Sequence, residues 1–186
     1  MNTLPEKIVT ALADVLGDGP VVLHEPRLGG NERLYLSDCL DSTYVSSVGP
    51  YVHRLELDLA KFIGVQHVVA TVNGTSALHI ALLLAGVQPG DEVLIPALSF
   101  VATANAVRYC NATPHFLDSE VLTLGIDPNA MADWLAQTCI IVTGNCWNRV
   151  TGKRIAAIVP MHTFGHPCDI KGILRVAAEY GLPVVE

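Results

Sequence analysis

Three places in the chain have the residue types and spacing to do chemistry. The first is Asn73-Gly74-Thr75-Ser76, which follows the apolar run Val68 to Val72 and opens the helical period Ala77-Leu78-His79-Ile80-Ala81-Leu82-Leu83-Leu84. A helix start leaves unpaired N–H groups at the positive end of the macrodipole, so an anion such as a phosphate monoester can sit against Gly74, Thr75 and Ser76. Gly74 permits close backbone approach, and two hydroxyls add donors. The same four residues also satisfy ordinary turn and N-cap chemistry. The second place is His162, which ends the apolar run 155 to 161; the third is Phe100, just after Pro96-Ala97-Leu98-Ser99. Carboxyl-terminal strand ends line the ligand sites of open α/β sheets. A histidine there can equally serve loop carbonyls, and a lone aromatic can equally be core.

Other patterns fail on their own terms. There is no G-x-G-x-x-G, so the dinucleotide fingerprint is absent. Gly152-Lys153 is followed by Arg154 where a P-loop needs Ser or Thr, and Gly144 stands at the wrong distance. His162, His166 and Cys168 form an H-x-x-x-H-x-C array, but Gly165 and Pro167 make the segment a turn rather than the helix such ligands need. No metal is expected. Asn73-Gly74-Thr75 and Asn111-Ala112-Thr113 match the glycosylation sequon, which has no consequence without a secretory signal.

The elements that must hold these residues are legible from punctuation and period. Thr3-x-x-Glu6 is a capping box with Pro5 in the first turn, so a helix is expected over 4–16, ending at Gly17. Asp18 to Gly30 reads as loop around the short run Val21 to Leu23. Asn31 caps a helix to about Asp41, and Gly49-Pro50 opens another that reaches Gly64. From residue 65 short apolar runs alternate with helical periods, the pattern of βα units and a parallel sheet. Strands are expected at Val68 to Val72, Glu92 to Pro96, Thr113 to Asp118, Ile155 to Met161 and Leu182 to Val185. Helices are expected at 75–85, 100–109, from Asp127-Pro128 through Leu135, and from Asp169 to Tyr180. Ile140-Ile141-Val142, Thr143-Gly144-Asn145 and Val150-Thr151-Gly152 suggest a β-hairpin excursion between Cys139 and Arg154.

Composition bounds the classes. The 186 residues are 51% hydrophobic with mean hydropathy +0.41, enough for one sizeable core. A net charge of -7 with eleven Lys plus Arg and no basic stripe argues against a nucleic-acid partner. No basic start precedes an apolar run, and no apolar window reaches membrane-spanning length, so a soluble cytosolic protein is expected. Cys39, Cys110, Cys139, Cys146 and Cys168 are odd in number and lack C-x-x-C spacing, so reduced thiols are expected. Val184-Val185-Glu186 reads as the interior of a strand, so the chain is expected to be part of a longer polypeptide.

Several segments in order resemble one family: Glu25-Pro26-x-Leu28-Gly29-Gly30-Asn31-Glu32, Val45-Ser46-Ser47-Val48-Gly49, Asn73 to His79, Gly90-Asp91-Glu92-Val93 to Pro96, Ser99 to Ala106, and Pro160 to Pro167. The chain is similar to the DegT/DnrJ/EryC1/StrS sugar aminotransferases, and most like their LegC-type branch, which is associated with legionaminic-acid and related bacterial surface sugars. Residues 143–154 look like a branch insertion.

The resemblance implies an α/β fold, the large domain of pyridoxal-phosphate transferase fold type I (aspartate-aminotransferase-like), incomplete, with a mostly parallel sheet and N-terminal helices. Residues 1–64 would be an N-terminal helical segment and 65–186 the first part of the cofactor-binding domain. It implies pyridoxal 5′-phosphate as cofactor, held by Gly74, Thr75 and Ser76 at its phosphate, with Phe100 on its ring and His162 approaching cofactor or sugar. Ser46, Gly49 and Asn105 would face the substrate. The reaction implied is transfer of an amino group from glutamate to a 4-keto-6-deoxy nucleotide sugar, in a homodimer with no nucleic-acid or membrane partner.

The family's mechanism needs a lysine that carries the cofactor and an aspartate beside the pyridine nitrogen. Lys7, Lys61, Lys153 and Lys171 match no such motif, and the aspartate is expected just after Glu186, so no catalytic residue is assigned. Two alternatives stay open: a non-catalytic binding module of the same fold, and a dehydratase relative with histidine in place of the lysine.

Overall fold

The computed structural model describes residues 3–17, 19–22 and 25–186. Asp18, Leu23 and His24 of the expected 18–30 loop, with Met1 and Asn2, lie outside the described residues; the described part of that loop has neither helix nor strand. The chain divides into two compact units, Met1–Ala70 and Thr71–Glu186.

The first unit holds α1 (Leu4–Leu16), α2 (Glu32–Ser42) and α3 (Pro50–Ile63). The capping box starts α1: the Thr3 N–H donates to Glu6 Oε2 at 2.7 Å. Gly64 ends α3 at φ 81°, where a side chain would be strained. Among the described residues of this unit only Ala60 is buried, while Leu12, Val15, Leu55 and Phe62 lie exposed.

The second unit is a doubly wound α/β layer structure. In chain order it runs α4 (Gly74–Leu84), β1 (Glu92–Pro96), α5 (Val101–Tyr109), β2 (Thr113–Leu117), α6 (Pro128–Thr138), β3 (Cys139–Val142), β4 (Asn145–Asn148), β5 (Arg154–Ile158), a 3-10 turn (Thr163–Gly165) and α7 (Ile170–Tyr180). The sheet order is β2-β1-β5-β4-β3; β1 pairs parallel with β2 and β5, and the β3–β4 hairpin adds antiparallel strands beyond β5. That hairpin is the excursion the sequence suggested. It turns through Thr143 at φ 49° and Gly144 at φ 79°, both left-handed as a two-residue primed turn requires.

The side-chain alternation of β1 divides the core. Leu94 points to the face covered by α6 and α7, among Ile126, Met131, Leu135, Ile158, Ile173 and Val176. Val93 and Ile95 point to the face of α4 and α5, among Leu82, Ala106, Val107 and Ala157. All five β1 residues are buried, as a parallel strand covered on both faces must be.

Two expected strands differ. Val68 to Val72 forms no strand: no ladder partner lies beside it among the described residues, and Val69 and Val72 are 78% and 88% exposed. A β-favouring run is a strand only when a neighbour takes up its N–H and C=O groups. Leu182 to Val185 is reduced to one bridge, in which Ile158 N–H donates to Pro183 O and Val185 N–H donates to Ile158 O, both at 2.9 Å.

Candidate functional site

Helix α5 follows β1 and covers one face of the sheet; α7 follows β5 and covers the other. The chain therefore leaves these two adjacent strands in opposite directions, which opens a crevice at their carboxyl ends. A cavity of about 600 Å³ lies here, lined by Gly74, Thr75, Leu78, Phe100, Met161 and Glu186 with neighbouring alanines and Thr103.

The start of α4 forms one wall. Asn73 is its N-cap, and its Oδ1 accepts from the Ser76 N–H at 2.8 Å. That bond consumes one of the helix's orphan amides. The Gly74 and Thr75 N–H groups, at the first two helical positions, have no acceptor among the described residues, and neither do the Thr75 and Ser76 hydroxyls. A Cβ added at Gly74 would meet nothing within 4 Å, so the space beside these donors is open.

Phe100 forms another wall, 70% exposed in spite of its size. It is the N-cap residue of α5, and its N–H donates to Met161 Sδ at 3.1 Å, tying the loop after β1 to the loop after β5. Met161 was missed by sequence reasoning, which had no signal for a backbone-to-thioether bond across 61 residues.

His162 does not line the cavity. Its Nδ1 accepts from the Cys168 N–H at 3.2 Å, and its Nε2 lies 2.8 Å from Glu186 Oε1. The residues after it form the expected turn, with Phe164 at φ 53° and Gly165 at φ 80°. Among the described residues no three His, Cys, Asp or Glu side chains are grouped to hold a metal ion. Asn105 is half-buried on α5 and is not among the lining residues.

Ser46 and Gly49 belong to the first unit, where they line a separate hollow of about 660 Å³ with Asp38, Cys39, Tyr44 and Tyr51. Its polar groups are largely engaged with one another. Ser46 Oγ accepts from the Val48 N–H and donates to Val48 O, and the Tyr51 hydroxyl donates to Asp38 at 2.7 Å. The carboxylate that accepts this proton pushes the Tyr51 phenol up to about 12.

The opposite, amino-terminal edge of the sheet explains two residues the P-loop test had discarded. Arg154 donates to both carboxylate oxygens of buried Asp91, from Nε at 3.1 Å and Nη2 at 2.5 Å, and to Gly86 O at 2.7 Å. Lys153 Nζ donates to Thr113 Oγ1 at 3.1 Å. These cations join strand starts and are remote from the cavity in the connectivity of the sheet.

Comparison with known proteins matches this architecture. The family model described as the DegT/DnrJ/EryC1/StrS aminotransferase family matches residues 26–186. The chain is 41% identical to the GDP-perosamine synthase of Caulobacter vibrioides over 161 residues, covering 87% of this chain and 39% of that protein. It is 36% identical to the spore coat polysaccharide biosynthesis protein SpsC of Bacillus subtilis, covering 87% and 37% respectively. Among solved structures, NtdA from Bacillus subtilis with bound cofactor PMP aligns with TM-score 0.67 and 29% identity, over 89% of this chain and 36% of that one. The chain thus spans about two fifths of the length of the curated relatives it matches. With its fold and a family model covering all but the first 25 residues, the chain belongs to the DegT/DnrJ/EryC1/StrS aminotransferase family.

Proposed function

We propose that the full protein transfers an amino group from glutamate to a 4-keto-6-deoxy nucleotide sugar, using pyridoxal 5′-phosphate, in the biosynthesis of a bacterial surface polysaccharide or a legionaminic-acid-type sugar. The observation that carries this reading is the pairing of two unengaged amides, at Gly74 and Thr75, with an exposed aromatic plate, Phe100, in one cavity at the crevice of the sheet.

The residues present suit such a cofactor. The amides of Gly74 and Thr75 and the hydroxyls of Thr75 and Ser76 would hold the phosphate, the positive end of α4 adding to their attraction. Phe100 would lie against the ring, an arrangement that contributes about 0.5–1.5 kcal/mol beyond the area it covers. When bound, pyridoxal phosphate supplies the electron sink that lets an amino group move between carbon skeletons. His162 would approach the cofactor or sugar, and Ser46, Gly49 and Asn105 would serve the sugar. None of the cavity's lining residues is a lysine or an aspartate. In this reading the covalent anchor and the partner of the ring nitrogen come from the remainder of a longer, cytoplasmic, homodimeric protein, with residues 1–64 as its helical lead and 65–186 as the first part of the cofactor domain.

The test is the full-length protein, purified and scanned for a visible absorbance band that borohydride bleaches, then supplied with glutamate and a nucleotide-linked keto sugar. The expected result is the band, with an amino sugar detected by mass spectrometry. Protein that takes up no pyridoxal phosphate overturns the assignment.

A further inference from the structure

Phe100 is a large aromatic held in the open, and packing does not fix the loop that carries it. Of Ala97, Leu98, Ser99 and Phe100 none is buried, and Phe100 itself is 70% exposed. Its place is set by hydrogen bonds. At one end of the loop the Ala97 N–H donates to Leu117 O at 2.7 Å; at the other the Thr103 N–H donates to Phe100 O at 3.0 Å as α5 begins. The third tie is the Phe100 N–H, which donates to Met161 Sδ at 3.1 Å. Among the described residues no other hydrogen bond joins residues 97–100 to residues 160–168.

The strand before it places Met161 for this bond. Val159 continues the ladder past β5, its N–H donating to Leu94 O at 2.8 Å, and it packs on the side of the sheet that α4 and α5 cover. Side chains alternate along an extended chain, so Met161, two residues on, returns to that side, where it lines the cavity half-buried. The thioether matters chemically. Sulfur is a weak acceptor on an adaptable side chain, whereas leucine, valine or isoleucine would fill the space and accept nothing.

We propose that Met161 is a positioning residue for the aromatic plate: its sulfur holds the Phe100 N–H and so sets where the Phe100 ring stands against the flat face of a ligand. This rests on the reading of the cavity as the cofactor seat.

The experiment uses the full-length protein and calorimetry with two probes: pyridoxamine phosphate, which needs no covalent attachment, and inorganic phosphate, which has no ring. F100A is expected to weaken pyridoxamine phosphate about tenfold, the upper end of what stacking contributes, and M161L about threefold to fivefold, because the ring remains but is no longer held. In the F100A background M161L is expected to cost nothing more, since a residue that acts through the ring has no effect once the ring is gone. M161Q, which returns an acceptor on a side chain of similar length, is expected to bind as the unsubstituted protein does. Phosphate affinity should be the same in all. In protein labelled with nitrogen-15 phenylalanine, the Phe100 amide should exchange its hydrogen slowly, and faster in M161L.

Four results overturn the proposal and leave the cofactor reading standing: unchanged pyridoxamine phosphate binding in M161L, an M161L loss that persists in the F100A background, M161Q no better than M161L, or a fall in phosphate affinity in M161L. A Phe100 amide that exchanges freely in the unsubstituted protein does the same, and this measurement decides the matter if a variant does not fold. Failure of the unsubstituted protein to bind either probe overturns both readings.

Discussion

The two edges of the β2-β1-β5 sheet are built on opposite rules. At the amino-terminal edge polar groups are matched internally: Arg154 with Asp91, Lys153 with Thr113, and Asn148 Nδ2 donating to buried Glu92 at 2.9 Å. At the carboxyl-terminal edge the Gly74 and Thr75 amides have no acceptors among the described residues, and Phe100 is exposed. A matched group stabilises the fold and has nothing left for a ligand. An unmatched one adds little to stability and is available to bind.

The largest test of that contrast is R154A. It leaves Asp91, only 7% exposed, without its bidentate partner, and denaturant melts should show a loss of about 3 kcal/mol, as when a buried pair is broken. Phosphate affinity of the folded fraction should not move. G125A probes the loop between β2 and α6. An added Cβ would lie 2.5 Å from the Cβ of Cys168, so overpacking should cost about 2 kcal/mol by the same melts. N73A removes the cap on Ser76 and should cost about 1 kcal/mol in thermal unfolding.

The smallest effect is one of pH, at His115, whose ring packs on Trp134 with centroids 4.3 Å apart. Burial lowers its affinity for a proton, and the nearby Glu92 carboxylate offsets this only in part. The unfolded chain then binds the proton more readily, so stability rises with pH across that titration. Stability should fall as pH drops below about 6.5, the ordinary imidazole value, and H115Q should flatten that slope in melts at several pH values. A slope of the opposite sign would mean that Glu92 outweighs burial there.

Local chemistry was legible in the sequence, and long-range pairing was not. Thr3 with Glu6 placed α1 over 4–16 as found, and Asp127-Pro128 placed the start of α6, where Asp127 accepts from Asn129 N–H and Ala130 N–H. Gly144 marked the hairpin turn. These signals lie within a few residues of what they determine. Val68 to Val72 carries β-branched residues, yet a strand needs a neighbour, and no neighbour is written in the run itself.

The site divides in the same way. Gly74 and Thr75 stood out from helix-start chemistry and Phe100 from the family resemblance, and all three line one cavity, whereas Ser76 is not among its lining residues. Met161 went unnoticed because its partner stands 61 residues away. His162 drew notice for its place at a strand end, although both its ring nitrogens are already in use.

The Asn73 cap carries one more consequence. Because the side chain clasps the Ser76 amide with no anion needed, the loop into α4 acquires its shape when the chain folds. The ordering cost falls on folding and is absent from the binding step, so a monoester meets donors that are already preorganised.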